Sequence, residues 1–259
     1  MMDDQIDLQS DGVYNIFSSS IWHLIADEHR AAYSALDNLL KDTSAIAAHA
    51  QTIDTEMRAR IQDSELHVIF EQLAEEKSIE AYSTIVGFRL SQIYKAFKVF
   101  SRQALVVIAN IFERMSREFL ECVFSRHPQR MHQFLVLGPD TPIRGKVDIN
   151  DVLGSTSLPQ LVRRLARRAA TQASQGKFDL VVANTVQATA GKVDPGVLST
   201  LSEFIEARHK VVHEDDEQEV PPERVYAAFE SLMNVTRHFE QAAVSDDVPV
   251  DAIDADDDE

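Results

Sequence analysis

The stretch ALVVIANIFERMSREFLECVF, residues 104–124, decides the fold of this chain. Its apolar residues recur at steps of three and four, and over 104–112 they nearly encircle the helix axis, as expected of a buried helix. The same apolar spacing extends back to about Ile79. Because Gly87 could break or kink the helix, the pattern does not decide between one helix and two over 79–124.

Helical periodicity also dominates on both sides of this segment. Other predicted helices cover 13–50, 53–77, 158–174, 178–187, 194–212 and 222–243. Between 125 and 157, prolines and glycines interrupt any sustained period, and a short strand or helical turn is expected at 133–137. Since period-two alternation is nearly absent, the predicted fold class is all-α.

Composition limits the class of protein. Hydrophobic residues make up 44% of the 259 residues, which is enough for a real core. The single cysteine, Cys122, excludes an intrachain disulfide, fits a reducing compartment and is expected to be buried. The acidic start does not resemble a secretory signal, and no apolar run is long enough to span a bilayer. We therefore expect a soluble, cytoplasmic protein.

Charge is distributed unevenly along the chain. The net charge is -17, and eight acidic residues follow position 245 without any basic one. We expect an N-terminal helical region over 1–100, a helical domain over 101–243 and an acidic, disordered tail over 244–259. A second interpretation of the tail is that it imitates a polyanion and covers a basic surface. Non-specific binding to nucleic acid is disfavoured, because it needs local Lys and Arg.

The clearest indication of chemistry is FIEARHKVVH, residues 204–213. Its helix is expected to begin at Asp194 as N-cap with Pro195 in the first turn. Arg208 falls inside the apolar stripe of that helix, where a charged side chain needs a partner. The partner could be a carboxylate, a helix of another subunit or a bound phosphate.

Arg208 and His213 combine a permanent cation with a side chain that titrates near neutral pH. Arg208 and His213 are five residues apart, so on a regular helix their side chains point about 140° apart around the axis. One chain therefore does not easily bring both side chains to a single atom. Two copies related by a twofold axis could place two arginines and two histidines in one cleft. One histidine would then remove a proton from a ribose 2′-hydroxyl, and the other would protonate the leaving 5′-oxygen.

With this motif near the end of a helix in an all-helical chain, the sequence resembles the HEPN superfamily (higher eukaryote and prokaryote nucleotide-binding). The resemblance is to prokaryotic branches near the RiboL-PSP and MAE-type families. It covers roughly 100–243 and includes VIANIFERMSREFLECVF, residues 107–124. It implies a dimerising helical bundle of HEPN type. The N-terminal helical extension, residues 1–100, is expected from the helical periodicity and is not explained by the resemblance.

The resemblance also implies an activity. Many members are metal-independent endoribonucleases without a cofactor, often toxins or phage-defence effectors with an antitoxin or a defence-system partner protein. Arg208 and His213 would be the catalytic pair that cleaves RNA by 2′-hydroxyl attack, and His209 would be an auxiliary residue.

The chain departs from the family pattern after His213. Four acidic residues, 214–217, replace the usual small residue and would repel RNA phosphate. Position 215 is Asp, so the tyrosine that nucleotidyltransferase antitoxins modify in some toxins is absent. Because some family members are inactive interaction modules, the second hypothesis is a non-catalytic helical adaptor that binds a protein or a nucleotide.

Two other interpretations use the same residues. Arg208 and His213 could form a salt bridge at the helix end with Glu206 or Asp215. Alternatively, Glu206, His209 and His213 share one helix face, and Asp215 or Asp216 could add oxygen ligands to a metal. No second cluster of matching spacing accompanies them, so the prediction includes no metal.

Two further patterns carry alternatives. Arg163, Arg164, Arg167 and Arg168 form the densest basic cluster, which could bind RNA phosphates or simply form a solvated face paired with acidic groups. The aromatic row is expected in the core rather than as a base-stacking surface; it comprises Phe88, Phe97, Phe100, Phe112 and Phe119.

Overall fold

A computed structural model describes residues 15–62, 75–137, 143–144, 147–213 and 219–251. The fold class is all-α, as predicted. The helices are α1 Ser19–Lys41, α2 Thr43–Gln62, α3 Glu75–Arg126, α4 Ile149–Leu153, α5 Leu158–Ala173, α6 Phe178–Ala188, α7 Pro195–Ser199, α8 Ser202–His213 and α9 Pro222–Ser245. A 3-10 helix covers Pro128–Gln133, and the two-residue strands β1 Val136–Leu137 and β2 Ile143–Arg144 pair antiparallel.

The central helix α3 is one continuous helix of 52 residues. It passes through Gly87, where a Cβ atom would meet nothing within 4 Å. A glycine inside a helix costs about 1 kcal/mol relative to alanine, and the packing of the helix outweighs this cost. Its C-terminal half packs into the core with fully buried side chains such as Leu105, Ile108 and Met115.

The core is built around an aromatic cluster formed by α3, α9 and Phe17, which lies two residues before the start of α1. The rings of Phe119 and Phe239 stack at 4.4 Å between centroids with an interplanar angle of 7°. Phe17 packs edge-on against both, at 5.3 Å and 6.4 Å. All three side chains are fully buried. The core prediction is confirmed for Phe112 and Phe119, whereas Phe88 is 61% exposed and Phe100 is 39% exposed.

A polar seam joins α1, α3 and α9. The Tyr33 hydroxyl and the Ser101 hydroxyl are hydrogen-bonded at 2.9 Å, and both residues are buried. The carboxylate of Asp37, also buried, accepts hydrogen bonds from Lys41 at 2.7 Å and from the Tyr226 hydroxyl at 3.0 Å. Burial raises the pKa of Tyr33, and the hydrogen bond to Ser101 only partly offsets this.

The predicted division at residue 100 coincides with no break, because α3 runs through it. Helix α1 shares the core of residues 101–243 through Trp22, Ala26 and Tyr33. The prediction of a first helix over 13–50 differs from the structure, in which Asp42 separates α1 from α2. Asp42 is extended and its N–H donates to the Asn38 carbonyl, which closes α1.

The prediction of a disordered tail from residue 244 is wrong as far as residue 251. Val250 forms a parallel bridge with Phe17, and the Asp251 N–H donates to the Phe17 carbonyl at 3.0 Å. Asp246 is buried, and its carboxylate is bound by basic side chains. These contacts join residues more than 50 positions apart, so they leave no local pattern in the sequence. Residues 252–259 lie outside the described residues.

The end of α6 is closed by a Schellman motif. The Gly191 N–H donates to the Val186 carbonyl at 2.8 Å, and the Ala190 N–H donates to the Gln187 carbonyl at 3.2 Å. This motif places one residue in the left-handed region, normally glycine. Here that residue is Ala190, with φ 53°. Its Cβ atom is therefore strained.

We expect Ala190→Gly to raise the free energy of unfolding by about 0.5–1 kcal/mol, because it relieves this strain. The matched control is Ala183→Gly, at an exposed position inside α6. There the same change should lower the free energy of unfolding by about 1 kcal/mol. Urea denaturation of both variants measures the two effects. Effects of the same sign would contradict the proposed strain at Ala190.

Candidate functional site

The candidate site lies on α8, which is preceded by the short helix α7. As predicted, Asp194 is the N-cap of α7: its carboxylate accepts from the Gly196 N–H at 2.7 Å, and Pro195 occupies the first turn. The prediction of a single helix over 194–212 is wrong, because the helix is interrupted between Ser199 and Ser202. The Thr200 hydroxyl donates to the Val197 carbonyl at 2.7 Å and competes with the helical pattern.

Arg208 lies on the side of α8 that packs against the protein. It is placed three and four residues after Ile205 and Phe204, which are half-buried and buried. Arg208 itself is half-buried, and its Nε atom is buried without a hydrogen-bond partner within the described part of the chain. A buried N–H group without a partner costs about 1–3 kcal/mol. Arg208 is therefore a cation on an apolar face that the described residues leave incompletely satisfied.

The salt-bridge interpretation of Arg208 is only partly tested. Glu206 is exposed and forms no ion pair with Arg208 in the described part of the chain. The other candidate partner, Asp215, lies outside the described residues, as do its neighbours 214–218.

His213 is the last residue of α8. Its side chain lies outside what the structure describes. Because the backbone stays helical from Arg208 to His213, the two residues are about 140° apart around the helix axis. His209 is exposed on the same helix. A single chain does not bring Arg208 and His213 to one point along a regular helix, so a shared site needs a second copy.

The basic cluster lies on α5, and its four arginines differ in their contacts. Arg168 forms an ion pair with the carboxylate of Asp151 on α4. Arg167 is 3.4 Å from the carboxylate of Glu121 on α3, but its side chain is 76% exposed. Arg164 is exposed and packs over Gly154, while the Nε atom of Arg163 has no hydrogen-bond partner among the described residues.

We call Arg163, Arg164 and Arg167 the arginine face. Both interpretations of the basic cluster keep some support, because Arg168 and Arg167 pair with acidic groups while the arginine face still presents exposed guanidinium groups. An exposed ion pair such as Arg167–Glu121 contributes little and is screened by salt.

A charged cluster surrounds Asp246, and no sequence pattern predicted it. Arg130 donates to both carboxylate oxygens of Asp246, one of them at 3.1 Å, and Lys192 lies at 2.8 Å. The Nε2 atom of His127 lies 2.8 Å from the Asp246 carbonyl. Burial alone would raise the pKa of Asp246, but hydrogen bonds from Arg130 and Lys192 outweigh it, so the pKa is lowered.

Asp246 neutralises the basic side chains around it and joins α9 to the Pro128–Gln133 turn and to Lys192, ahead of α7. Because its carboxylate is already bound by Arg130 and Lys192, this cluster is structural.

Other possible sites are weaker. Between α2 and α3 lies an open cleft of about 340 Å³ lined by His49, Ile53, Glu56, Met57, Arg60, Gln92 and Ile93. Glu56 and Arg60 place opposite charges one helical turn apart, so the lining favours no ligand class. Within the described ranges, no group of three His, Cys, Asp or Glu residues could hold a metal. Burial raises the pKa of the Cys122 thiol, as predicted for a buried cysteine.

None of the described helices combines the length and apolar character needed to cross a membrane. The fold and the site thus define an all-α protein whose best candidate site is the Arg208 end of α8. Comparisons of the chain with protein-family models, with curated proteins and with solved structures find no match. The HEPN resemblance consequently stays a prediction.

Proposed function

We propose that this protein is a metal-independent endoribonuclease of HEPN type that acts as a homodimer. The observation that carries the proposal is Arg208, a half-buried cation whose Nε atom has no partner within the described residues. An arginine in this state can bind a phosphate that contacts the same helix. His213, one and a half turns later, supplies the acid or base that the cleavage needs.

The proposed site is composite. Helical geometry separates Arg208 and His213 of one chain, whereas two α8 helices facing each other would contribute two of each. In each turnover one His213 takes the proton of the 2′-hydroxyl as its oxygen attacks phosphorus, and the bond to the 5′-oxygen breaks. The other His213 gives a proton to that 5′-oxygen. The products are a 2′,3′-cyclic phosphate and a 5′-hydroxyl.

The experiment combines the purified chain with a fluorescent single-stranded RNA near neutral pH in the presence of EDTA. We expect His213→Ala to slow cleavage at least about a hundredfold, the lower range for loss of acid/base catalysis. Arg208→Ala should slow it by at least a similar factor, about a hundredfold, because the charge that develops on the phosphate loses its stabilising cation. The matched control is His29→Ala, at an exposed position on α1, which should leave the rate unchanged. Mass spectrometry of the products should detect the cyclic phosphate.

A heterodimer with one wild-type chain and one His213→Ala chain tests the composite site directly. Because each turnover uses both histidines, its rate should fall well below half of the wild-type rate. The proposal is wrong if the dimer cleaves no RNA at any pH near neutral, if cleavage survives both substitutions, or if EDTA abolishes it.

The second candidate function is a non-catalytic helical adaptor for a protein or nucleotide partner. It is favoured by the net charge of -17, by the acidic residues 214–217 and by the pairing of Arg168 with Asp151. A nuclease that acts as a toxin should slow growth during expression, and His213→Ala should relieve the effect. An adaptor should express equally well in both forms.

A further inference from the structure

The arginine face has capacity for another anion. Arg164 is exposed and Arg167 is 76% exposed. Arg163 is half-buried, and its buried Nε atom has no hydrogen-bond partner within the described ranges. The acidic group nearest to this face in the described structure is Glu121, 3.4 Å from Arg167. One carboxylate beside three guanidinium groups leaves this face positively charged, although the chain as a whole is acidic.

The last described residue, Asp251, lies close to the C-terminal end of α3, the end that carries Glu121. Its N–H donates to the Phe17 carbonyl at 3.0 Å, and its carbonyl accepts from the Ser20 N–H at 3.1 Å. Two residues before Phe17, the Asn15 side chain donates to Glu121 at 3.2 Å. Since Glu121 also pairs with Arg167, a short series of contacts connects Asp251 to the arginine face.

The residues after Asp251 are complementary to that face in charge. The segment 252–259 reads AIDADDDE, with five acidic residues and no basic one. Eight extended residues span about 26–29 Å. The contacts from Asp251 to Phe17, from Asn15 to Glu121 and from Glu121 to Arg167 measure 3.0, 3.2 and 3.4 Å, and only two residues of chain, about 7 Å, separate Phe17 from Asn15. The segment is therefore long enough to reach the arginine face of its own chain.

We propose that the acidic segment 252–259 binds the arginine face of the same chain and competes there with external polyanions, RNA included. A tethered segment has an effective concentration on the order of millimolar, so five carboxylates compete strongly with a free ligand at micromolar concentration. The attraction is between exposed charges, so salt weakens it. Where RNA is the competitor, this inference rests on the proposed function; the contact itself does not.

A zero-length carbodiimide cross-link tests the contact without RNA. The variant Arg167→Lys keeps the charge and introduces an amine that can form an amide bond with a carboxylate. At high dilution and low salt, peptide mapping should join the new lysine to residues 254–259 of the same chain. The control is Arg60→Lys, at an exposed position on α2, a helix that packs against α1 and α3.

Three results of the cross-linking would overturn the proposal. They are no cross-link from position 167 to the segment, an equal yield from position 60, and a cross-link found only between chains. The third result would indicate that the segment binds a second copy instead.

Binding of a fluorescent polyanion tests the competition. The probe is a single-stranded RNA oligonucleotide in a buffer without cleavage, with the His213→Ala substitution in every variant. Replacing Asp254, Asp256, Asp257, Asp258 and Glu259 by their amides should tighten binding about tenfold at low salt and less at high salt. Replacing Arg163, Arg164 and Arg167 by alanine as well should abolish the gain.

Equal affinity of the full acidic chain and the amide variant at low salt would overturn the competition. The cross-link and RNA cleavage are separate measurements, so a failed nuclease assay with a positive cross-link rejects only the proposed function. A missing cross-link with active cleavage rejects only this inference.

Discussion

Phe119→Ala is expected to lower the free energy of unfolding by about 3–5 kcal/mol, the range for removing a large aromatic side chain from a core. Phe119 is fully buried in the middle of the core, where it stacks on Phe239 and meets the edge of Phe17. The substitution removes both ring contacts and leaves a cavity that three packed helices cannot easily fill.

Urea denaturation measures this effect as a shift of the midpoint at an unchanged slope. The matched control is Phe88→Ala on the same helix, where the side chain is 61% exposed and the expected change is within about 0.5 kcal/mol. A loss below about 1 kcal/mol for Phe119→Ala would contradict the described core.

The second large effect is expected at Asp246. Asp246→Asn keeps the shape of the side chain but removes the charge that balances Arg130 and Lys192. Breaking a fully buried ion pair costs about 3–5 kcal/mol. Because the side chains of Arg130 and Lys192 are 21% and 36% exposed, water relieves part of this cost. We therefore expect a loss of about 2–4 kcal/mol at pH 7.

The matched control is Asp247→Asn, which removes the same charge from the adjacent, exposed residue. Asp247 has φ 53°, a backbone conformation that asparagine tolerates as well as aspartate does. The control should change the free energy of unfolding by no more than about 0.5 kcal/mol. Similar losses in the two variants would argue against a specific role for Asp246.

The pH dependence of the Asp246 contribution has a definite sign. The folded pKa of Asp246 is lowered, so the folded state binds its proton less readily than the unfolded state does. The contribution is complete above the unfolded pKa, near about 3.9, and is lost as pH falls through the lowered folded pKa. The stability difference between wild type and Asp246→Asn should therefore shrink below about pH 4.

A difference that stays constant between pH 7 and the lowest pH at which both proteins fold would contradict this linkage. His127, Arg130 and Lys192 are the basic groups around Asp246 in the described structure. Because arginine and lysine keep their charge throughout this range, neither Arg130 nor Lys192 contributes to the acid-dependent part of the effect.

Part of the candidate site could be predicted from the sequence. The position of Arg208 inside an apolar stripe predicted a cation on a packing face, and the structure places a half-buried guanidinium there. The sequence also predicted Asp194 as a helix N-cap, which the structure confirms. Whether Arg208 meets His213 could not be predicted, because that depends on a second copy and on side chains beyond the described residues.

Other parts of the prediction failed for identifiable reasons. Asp246 resembled the first residue of an acidic tail, but its counter-ion Arg130 lies 116 positions away. The break between α7 and α8 is accompanied by a hydrogen bond from the Thr200 hydroxyl to the Val197 carbonyl, and a threonine can make such a bond in a helix or at its end, so its position alone does not predict a break. The aromatic row was expected to be buried, yet Phe88 lies on a part of α3 that leaves it exposed to solvent.

The spacing of apolar residues along the chain was enough to predict the helical class of this protein and most of its described helices. Helix formation depends on residues three and four positions apart, and their spacing is visible in any window of the chain. Three features became visible only in the folded chain. Helix α1 shares the core with α3 and α9, Asp246 is buried, and the arginine face lies near Asp251. These features depend on contacts between residues far apart in the chain, and such contacts form only when the helices pack.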